Sequence, residues 1–168
     1  MSSQTNVGEA PPQLALRRAF SLFPTGVVAV CTLVDGNPVG IAVNSFTSVS
    51  LDPPLVAVCV ARTSTTWPVL AGQTRLGMSV LGSHHETLCR NLASRNLDRF
   101  EDAQWHGTEG GAVLMEGAAL WLECEVRASL DGGDHEIILL EVLESDLFPD
   151  VTPLVFHQSQ FRGLLTDK

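Results

Sequence analysis

Lysine is almost absent from this chain: of its ten basic residues, only Lys168 is a lysine. The body of the chain therefore has no lysine for Schiff-base chemistry, and any phosphate group must be bound by arginine, hydroxyl and backbone N–H groups. The formal net charge of −9 at neutral pH argues against nucleic acid or an anionic membrane as a partner, because both require a basic protein surface.

Long apolar runs and phosphate-binding glycine loops are also missing. The longest apolar run, Val27–Val34, suits a buried strand and is too short to span a membrane. The sequence contains neither G-x-G-x-x-G nor the Walker pattern, which argues against a Rossmann unit and against a P-loop. Residues 1–12 are polar, without the apolar core of a signal peptide, so we predict a flexible leader there and a cytoplasmic location.

The four cysteines show no metal-binding or redox spacing. Cys31, Cys59 and Cys124 lie in apolar strand-like runs, Cys89 lies in a predicted helix, and no two form a C-x-x-C pair. We therefore expect four buried, reduced thiols. The pair His84-His85 does not predict a metal site either, because adjacent side chains on a helix project about 100° apart.

What the chain does contain is the pattern of a single mainly-β domain over residues 13–168. Hydrophobic residues make up 45% of the 168 positions, enough for a real core. Apolar alternation and turn residues predict strands at Val27–Val34, Val39–Asn44, Leu55–Val60, Arg75–Leu81, Ala119–Arg127, His135–Leu143 and within Thr152–Leu164. Helices are predicted at Gln13–Leu22, Thr66–Ala71 and from a capping box at Ser83 to Asn96, with an irregular loop at Asp98–Gly111. Many short strands with few helices indicate an antiparallel barrel.

The segment Gly40–Leu55 is the most unusual part of the pattern. It places one carboxamide and four hydroxyls (Asn44, Ser45, Thr47, Ser48, Ser50) within seven residues of a strand-like run. The apolar alternation slips phase near Asn44–Phe46, which predicts a bulge or tight bend that exposes backbone N–H groups to a ligand. An ordinary Ser/Thr-rich strand ending in a turn at Asp52-Pro53-Pro54 is the alternative.

Two further short segments have a functional and a structural interpretation. Arg62, Ser64 and Thr65 follow a predicted strand and together suit a phosphate group, although a solvated loop fits the same residues. His135 follows Gly133-Asp134 at a predicted turn, where a histidine with a purely structural role is also common.

Together with Phe23–Val27 and Pro153–His157, these segments resemble the signature of the flavin reductase family with the FMN-binding split-barrel fold. The resemblance covers residues 14–164. Members of that family are the reductase components of two-component flavin-dependent monooxygenases. The resemblance implies a mainly-β (α+β) fold, a six-stranded antiparallel Greek-key split β-barrel with a few short helices.

The resemblance also implies roles for individual residues. The flavin would be lined by Ala42, Asn44, Ser45, Ser48, Val49 and Ser50, several of them acting through the main chain. Its phosphate would be held by Arg62, Ser64 and Thr65, and His135 would lie beside the nicotinamide ring. Ala42 stands where the family often has threonine, and Phe156 and Phe161 where it often has tyrosine, a residue that this chain lacks.

The activity implied is NAD(P)H-dependent reduction of FMN or FAD, by hydride transfer to flavin N5, in a homodimer that supplies reduced flavin to a separate monooxygenase. The few spare basic residues favour NADH over NADPH. Two alternatives remain: a protein that retains FMN and reduces another acceptor, and a non-catalytic flavin-binding subunit.

Overall fold

A computed structural model describes residues 11–95 and 98–164, so most of the predicted leader, Asn96 and the last four residues lie outside the described part. Three helices are present: α1 (Pro12–Phe20), α2 (Trp67–Ala71) and α3 (Glu86–Ala93). The strands are β1 (Thr25–Gly26), β2 (Val28–Val34), β3 (Asn37–Val43), β4 (Thr47–Leu51), β5 (Pro54–Ala61), β6 (Leu76–Val80), β7 (Trp105–Gly107), β8 (Val113–Met115), β9 (Leu120–Gly132), β10 (His135–Leu147), β11 (Leu154–His157) and β12 (Gln160–Gly163). The expectation of a mainly-β chain with a few short helices is confirmed.

Seven strands form one antiparallel sheet in the order β3-β2-β6-β9-β10-β5-β4, with two smaller sheets beside it, β1-β11-β12 and β7-β8. The strands β3 and β4 occupy opposite edges of this sheet, yet only Asn44–Phe46 connect them. So few residues span at most about 14 Å from Val43 to Thr47. The sheet must therefore be rolled until its edges approach each other.

The rolled sheet is not closed by a hydrogen-bonded ladder. Within residues 11–95 and 98–164 no strand pairing joins β3 to β4 or to β5. The closest link is a side chain: the Ser45 hydroxyl donates to the Cys59 carbonyl at 2.9 Å and accepts from the Cys59 N–H at 2.8 Å. The Ser45 hydroxyl thus takes the place of one pair of backbone hydrogen bonds between neighbouring strands.

The core has two parts, one on each face of β2, which explains why the run Val27–Val34 is apolar at nearly every position. Val28 and Val30 face the interior of the rolled sheet with Val58, Leu76, Met78, Leu122, Ile138 and Leu140. Val27, Ala29 and Cys31 face the opposite layer with Leu81, Leu88, Leu92, Val113, Met115 and Leu154. In α3, Leu88 and Leu92 are spaced four apart and lie on its buried face.

Two local predictions are wrong. The stretch Asp98–Gly111 was expected to be irregular but contains β7, which pairs with β8. The expected capping box at Ser83 is replaced by a 3-10 turn at Ser83–His85, so that α3 begins at Glu86. Glu86 was expected to bind the Ser83 N–H, but that N–H donates to the Thr152 carbonyl at 2.8 Å. The corresponding bond lies one residue earlier, where the His85 imidazole accepts from the Gly82 N–H at 3.1 Å.

All four cysteines are free thiols. Burial raises the pKa of the Cys31 thiol, raises that of Cys89 to about 11 and raises that of Cys124 to about 12. Cys59 is half-buried. In the described part of the chain, no helix has the length and apolar character needed to cross a membrane.

Candidate functional site

A groove of about 410 Å³ lies where the ends of β3 and β5 meet the end of α3. Antiparallel pairing places His135, the first residue of β10, opposite Ala61 at the end of β5. The loop that follows β5 therefore lies next to His135. The groove is lined by Ile41, Ala42, Val43, Asn44, Ser45, Cys59, Val60, Ala61, Thr63, Ser64, Thr65, Thr66, Leu92, Ala93, Ser94, Arg95, Arg99 and His135.

The structure brings six of the ten predicted site residues to this groove: Ala42, Asn44, Ser45, Ser64, Thr65 and His135. The predicted bend occurs at Asn44–Phe46, between the end of β3 and the start of β4. It exposes Asn44 to the groove. The Ser45 hydroxyl is already satisfied by both backbone groups of Cys59.

Ser48, Val49 and Ser50 are not among the groove-lining residues. They lie on β4, which pairs with the first half of β5, away from the end that carries Ala61. The register of this pairing shifts between Ser48 and Ser50, so a β-bulge lies at Val49. Their predicted contact with a cofactor stays a prediction.

Arg62 is not among the groove-lining residues, and its side chain holds the β9–β10 hairpin. Its guanidinium donates to the Gly133 carbonyl at 2.9 Å and pairs with Glu136 at 2.9 Å and with Asp131 at 2.7 Å. Its backbone N–H donates to the Asp134 carbonyl at 3.0 Å. Arg62 and the N–H of Gly133 together hold the pKa of the Asp131 carboxyl below its ordinary value. The side chain predicted to bind phosphate therefore fixes the turn that precedes His135.

Two arginines that were not predicted, Arg95 and Arg99, line the groove instead. The Arg99 Nη1 donates to the Gly40 carbonyl at 3.1 Å and to the Thr66 hydroxyl at 2.9 Å. Across residues 11–95 and 98–164, neither arginine forms an ion pair. Two arginine charges without a carboxylate partner thus face a groove that also contains Ser64 and Thr65.

No short motif in the sequence marks these two arginines. Arg95 follows the end of α3 and Arg99 lies in the next loop. One property of the sequence does point to them: a chain without lysine in its body must bind phosphate through an arginine, and this chain has only nine.

The His135 imidazole also lines the groove and is 45% exposed. Its Nδ1 lies 2.8 Å from the Asp134 carboxylate, which suits an Nδ1–H donor. This bond and the neighbouring imidazole hold the pKa of Asp134 below its ordinary value. In the described part of the chain the His135 Nε2 forms no hydrogen bond, so this nitrogen is available to a ligand in the groove.

A second cavity of about 480 Å³ shares Ala42, Val43, Asn44 and Ala93 with the groove. The rings of Phe156 and Phe161 lie 5.4 Å apart in its wall, and the Arg90 guanidinium lies 4.9 Å from the centre of the Phe161 ring. Arg90 is paired with Glu86 at 2.7 Å, so its charge is already neutralised. This wall is apolar and aromatic.

With this fold and groove established, comparison places the chain in a family. It matches the flavin reductase like domain over residues 20–165, and the chain belongs to that family. Two curated relatives match most of its length. The flavin reductase of Pseudomonas putida is 34% identical over 88% of this chain and 87% of its own. The NADH-dependent FAD reductase of Streptomyces globisporus is 38% identical over 92% of this chain and 87% of its own.

Solved structures agree in fold as well as in sequence. The Streptomyces globisporus NADH:FAD oxidoreductase, in complex with NAD and FAD fragments, superposes with a TM-score of 0.87 at 38% identity. That match covers 93% of this chain and 94% of the other. The flavin reductase component of a bacterial two-component tryptophan halogenase superposes with a TM-score of 0.83 at 34% identity, over 92% of this chain and 99% of the other.

Proposed function

We propose that this chain is an NADH-dependent flavin reductase that transfers hydride from the nicotinamide to N5 of FMN or FAD. The observation that carries the proposal is the groove itself. Among the described residues, one part of its wall has two arginines without carboxylate partners beside a loop of hydroxyls, and another part has His135 with an Nε2 that forms no hydrogen bond.

The residues of the groove fit a flavin nucleotide. Ala42 and Ala93 supply small apolar side chains to the groove wall, and Asn44 supplies a carboxamide. Phosphate requires fixed positive charge and N–H or O–H donors. Arg95 and Arg99 provide the charge, with Ser64 and Thr65 as donors; Arg62, whose guanidinium is bound to the hairpin, remains a prediction for that role. Bound flavin supplies the hydride acceptor, since hydride chemistry belongs to the cofactor.

His135 would act as a positioning residue for the nicotinamide. Hydride transfer depends on stacking and distance more than on an acid or a base. The bond to Asp134 orients the imidazole, and Arg62 fixes the turn from which it projects. The Nε2 is then placed to bind a polar group of the nucleotide. NADH is favoured over NADPH because no additional unpaired arginine lines the described groove for a 2′-phosphate.

The wider biological setting is part of the same proposal. We expect a homodimer in the cytoplasm, with reduced flavin passing to a separate monooxygenase. The six-stranded Greek-key split barrel stays a prediction, since the main sheet has seven strands in the described part of the chain. The curated relatives include a reductase subunit of a flavin-dependent monooxygenase from Rhodococcus jostii, 31% identical over 95% of this chain. The four free thiols support a reducing compartment.

The test is NADH oxidation by the purified chain, with riboflavin, FMN or FAD added and with no addition, followed through the absorbance of reduced nicotinamide. We expect oxidation that depends on added flavin. A yellow protein that oxidises NADH without added flavin would favour retained FMN and another acceptor. A flavin-binding protein with no NADH oxidation would contradict the enzyme assignment altogether.

A further inference from the structure

The apolar face of α1 is left uncovered by the described part of the chain. Leu16, Phe20 and Phe23 follow one another at spacings of four and three, which places them on one side of the helix and of the turn after it. Their exposed fractions are 53%, 70% and 74%. Among the residues of α1, all of them described, Ala15 alone is buried. The side chains of Leu16, Phe20 and Phe23 form the α1 stripe.

A helix as short as α1 needs a surface to pack against. It has nine residues, and isolated helices shorter than about 12 residues are marginal in water, because most helical stability in proteins comes from packing an apolar face. Residues 1–10 offer only Met1 and Val7 as large apolar side chains, too few to cover the three of the α1 stripe. A cover from outside the chain is therefore expected.

The edge strand β4 is a second uncovered apolar surface. Leu51 is 95% exposed and Val49 is 51% exposed. A β-bulge at Val49 interrupts the pairing of β4 with β5, and a bulged edge is a poor template for a further strand. This edge is therefore better suited to side-chain packing against a helix than to the addition of another strand.

The two uncovered surfaces match in length and in charge. The nine residues of α1 span about 14 Å and the five residues of β4 about 17 Å. Arg18 on α1 and Asp52, just after β4, are both exposed, and neither forms an ion pair in the described part of the chain. Opposite charges beside an apolar contact favour the encounter and help to fix its register.

We propose that α1 of one copy of this chain packs on β4 of a second copy, with the reciprocal contact formed at the same time. In a two-fold dimer a contact between two different surfaces occurs twice, so one arrangement covers both surfaces of each chain. The exposed parts of the α1 stripe, Val49 and Leu51 amount to roughly 600 Å² per chain, since a whole aromatic side chain buries about 150–250 Å². Each partner of a stable interface buries about 800 Å². The inference rests on the homodimer of the proposed function.

Opposite charges placed on the two surfaces test the contact directly. Phe20→Glu and Leu51→Arg, each alone, should raise the dissociation constant of the dimer at least about tenfold, since each removes an apolar side chain from the contact. Combined in one chain they should restore most of the wild-type affinity, because the two new charges face each other across the interface. Sedimentation velocity over a dilution series measures the constant, and circular dichroism checks the fold.

Leu130→Glu is the matched control for the charge variants. Leu130 is an exposed leucine on β9, outside both surfaces. Its substitution should leave the dissociation constant of the dimer unchanged.

A disulfide cross-link identifies which surfaces meet. After oxidation, a chain with both Phe20→Cys and Leu51→Cys should migrate without reductant at twice the chain mass of 18.0 kDa. The wild type and each single variant should migrate as one chain. Peptide mass spectrometry of the cross-linked species should find the α1 peptide joined to the β4 peptide.

Three results would overturn the inference. They are a wild-type mass of one chain, no recovery of affinity in the combined charge variant, and a cross-link in Phe20→Cys alone or Leu51→Cys alone, which would show each surface meeting its own copy. NADH oxidation with added flavin decides the proposed function separately. An active single chain would overturn the contact and leave the activity, whereas an inactive dimer with the expected cross-link would contradict the activity and support the contact.

Discussion

The two arginines Arg62 and Arg99 show why residue type alone does not tell which arginine has a charge available to a phosphate. Both are close to the loop after β5, and both were possible partners for a phosphate. Arg62 has two carboxylates, Asp131 and Glu136, and a carbonyl already bound to it. Within residues 11–95 and 98–164, Arg99 is bound only to neutral oxygens, so its charge remains available to an anion.

We therefore expect Arg62→Ala to affect the nicotinamide nucleotide more than the flavin phosphate. Removing the guanidinium frees the turn before His135, which should raise the KM of NADH several-fold, the scale of a few lost hydrogen bonds. The ratio of FMN to riboflavin affinity should not change. Steady-state kinetics and flavin fluorescence titrations give both quantities.

Arg127→Ala is the matched control for that experiment. Arg127 lies on the same hairpin and pairs with Glu125 and Glu141, away from the turn. It should leave the KM of NADH near the wild-type value. If Arg62→Ala instead weakened FMN and FAD but not riboflavin, Arg62 would be the phosphate ligand that the sequence predicted.

His135→Ala tests the other part of the groove wall. Loss of the imidazole should raise the KM of NADH about tenfold, the size of one well-formed hydrogen bond, and should change flavin dissociation constants by less than twofold. His106→Ala is the control, since His106 packs on Trp121 and does not line the described groove. An unchanged KM of NADH in His135→Ala would remove the nicotinamide role.

For individual residues, the sequence predicts which side chains line the groove when they lie close together in the chain. It does not predict contacts between residues that are distant in sequence. Ser64, Thr65 and His135 could be proposed from a strand end and a turn, and all three line the groove. The partners of Arg62 follow it by about seventy positions, so its engagement depends on the register of β5 against β10. That register is a tertiary property, which no local pattern specifies.

At the level of secondary-structure elements, the contact between the two edges of the rolled sheet depends on Ser45. Its hydroxyl satisfies both backbone groups of Cys59, and Ser45→Ala would leave them without that partner. We expect a loss of about 1–3 kcal/mol in the free energy of unfolding, since buried backbone groups without partners are costly. Urea denaturation measures this quantity.

Ser48→Ala is the comparison for Ser45→Ala. Ser48 is exposed on β4, so its removal should change the free energy of unfolding by no more than about 0.5 kcal/mol. Equal effects of the two substitutions would mean that the Ser45 hydroxyl does not join the sheet edges.

The turn that opens α3 should be sensitive to pH. The His85 Nδ1 accepts from Gly82, and its Nε2 lies 2.9 Å from the Glu116 carbonyl, which suits the neutral Nε2–H tautomer. Burial, and then the neighbouring His84, lower the pKa of His85. A lowered folded-state pKa contributes stability that is complete above the unfolded value near 6.5 and is lost as the pH falls.

Urea midpoints at pH 7.5, 6.5 and 5.5 test this contribution. The wild-type midpoint should fall with acidification by more than that of His85→Gln, whose amide can replace a neutral ring but does not titrate. Parallel curves for the two proteins would show that His85 contributes nothing to the pH dependence.

The elements themselves were largely predictable because their apolar periodicity is strong. β2, β6 and β9 lie where buried runs or alternation indicated them. β7 was missed because a strand of three residues is too short to show a period. The capping box failed because the Thr152 carbonyl, distant in sequence, accepts from the Ser83 N–H, and His85 makes the reciprocal bond one residue earlier, to Gly82.

For the whole molecule, the exposed apolar side chains on β4 predict self-association. Leu51 is 95% exposed and Val49 is half exposed, both on an edge strand, and edge strands of this kind are usually covered. Light scattering should give twice the chain mass of 18.0 kDa. Leu51→Glu should lower that mass, and Leu147→Glu, on an exposed strand end elsewhere, should not.

A mass of one chain for the wild type would contradict the predicted homodimer. A dimeric Leu51→Glu variant would place the interface away from β4. Leu51 is exposed because it lies at the edge of a rolled sheet, and that position cannot be read from the local sequence. The homodimer was therefore predictable only from the family resemblance.

The burial of the cysteines determines which thiols are open to oxidation by the products of flavin reduction. Reduced flavin that meets dioxygen yields hydrogen peroxide, and peroxide oxidises thiolates far faster than thiols. Cys31, Cys89 and Cys124 are shielded and held as thiols by their raised pKa. Oxidative damage during turnover should therefore fall first on Cys59, the half-buried cysteine in the groove wall.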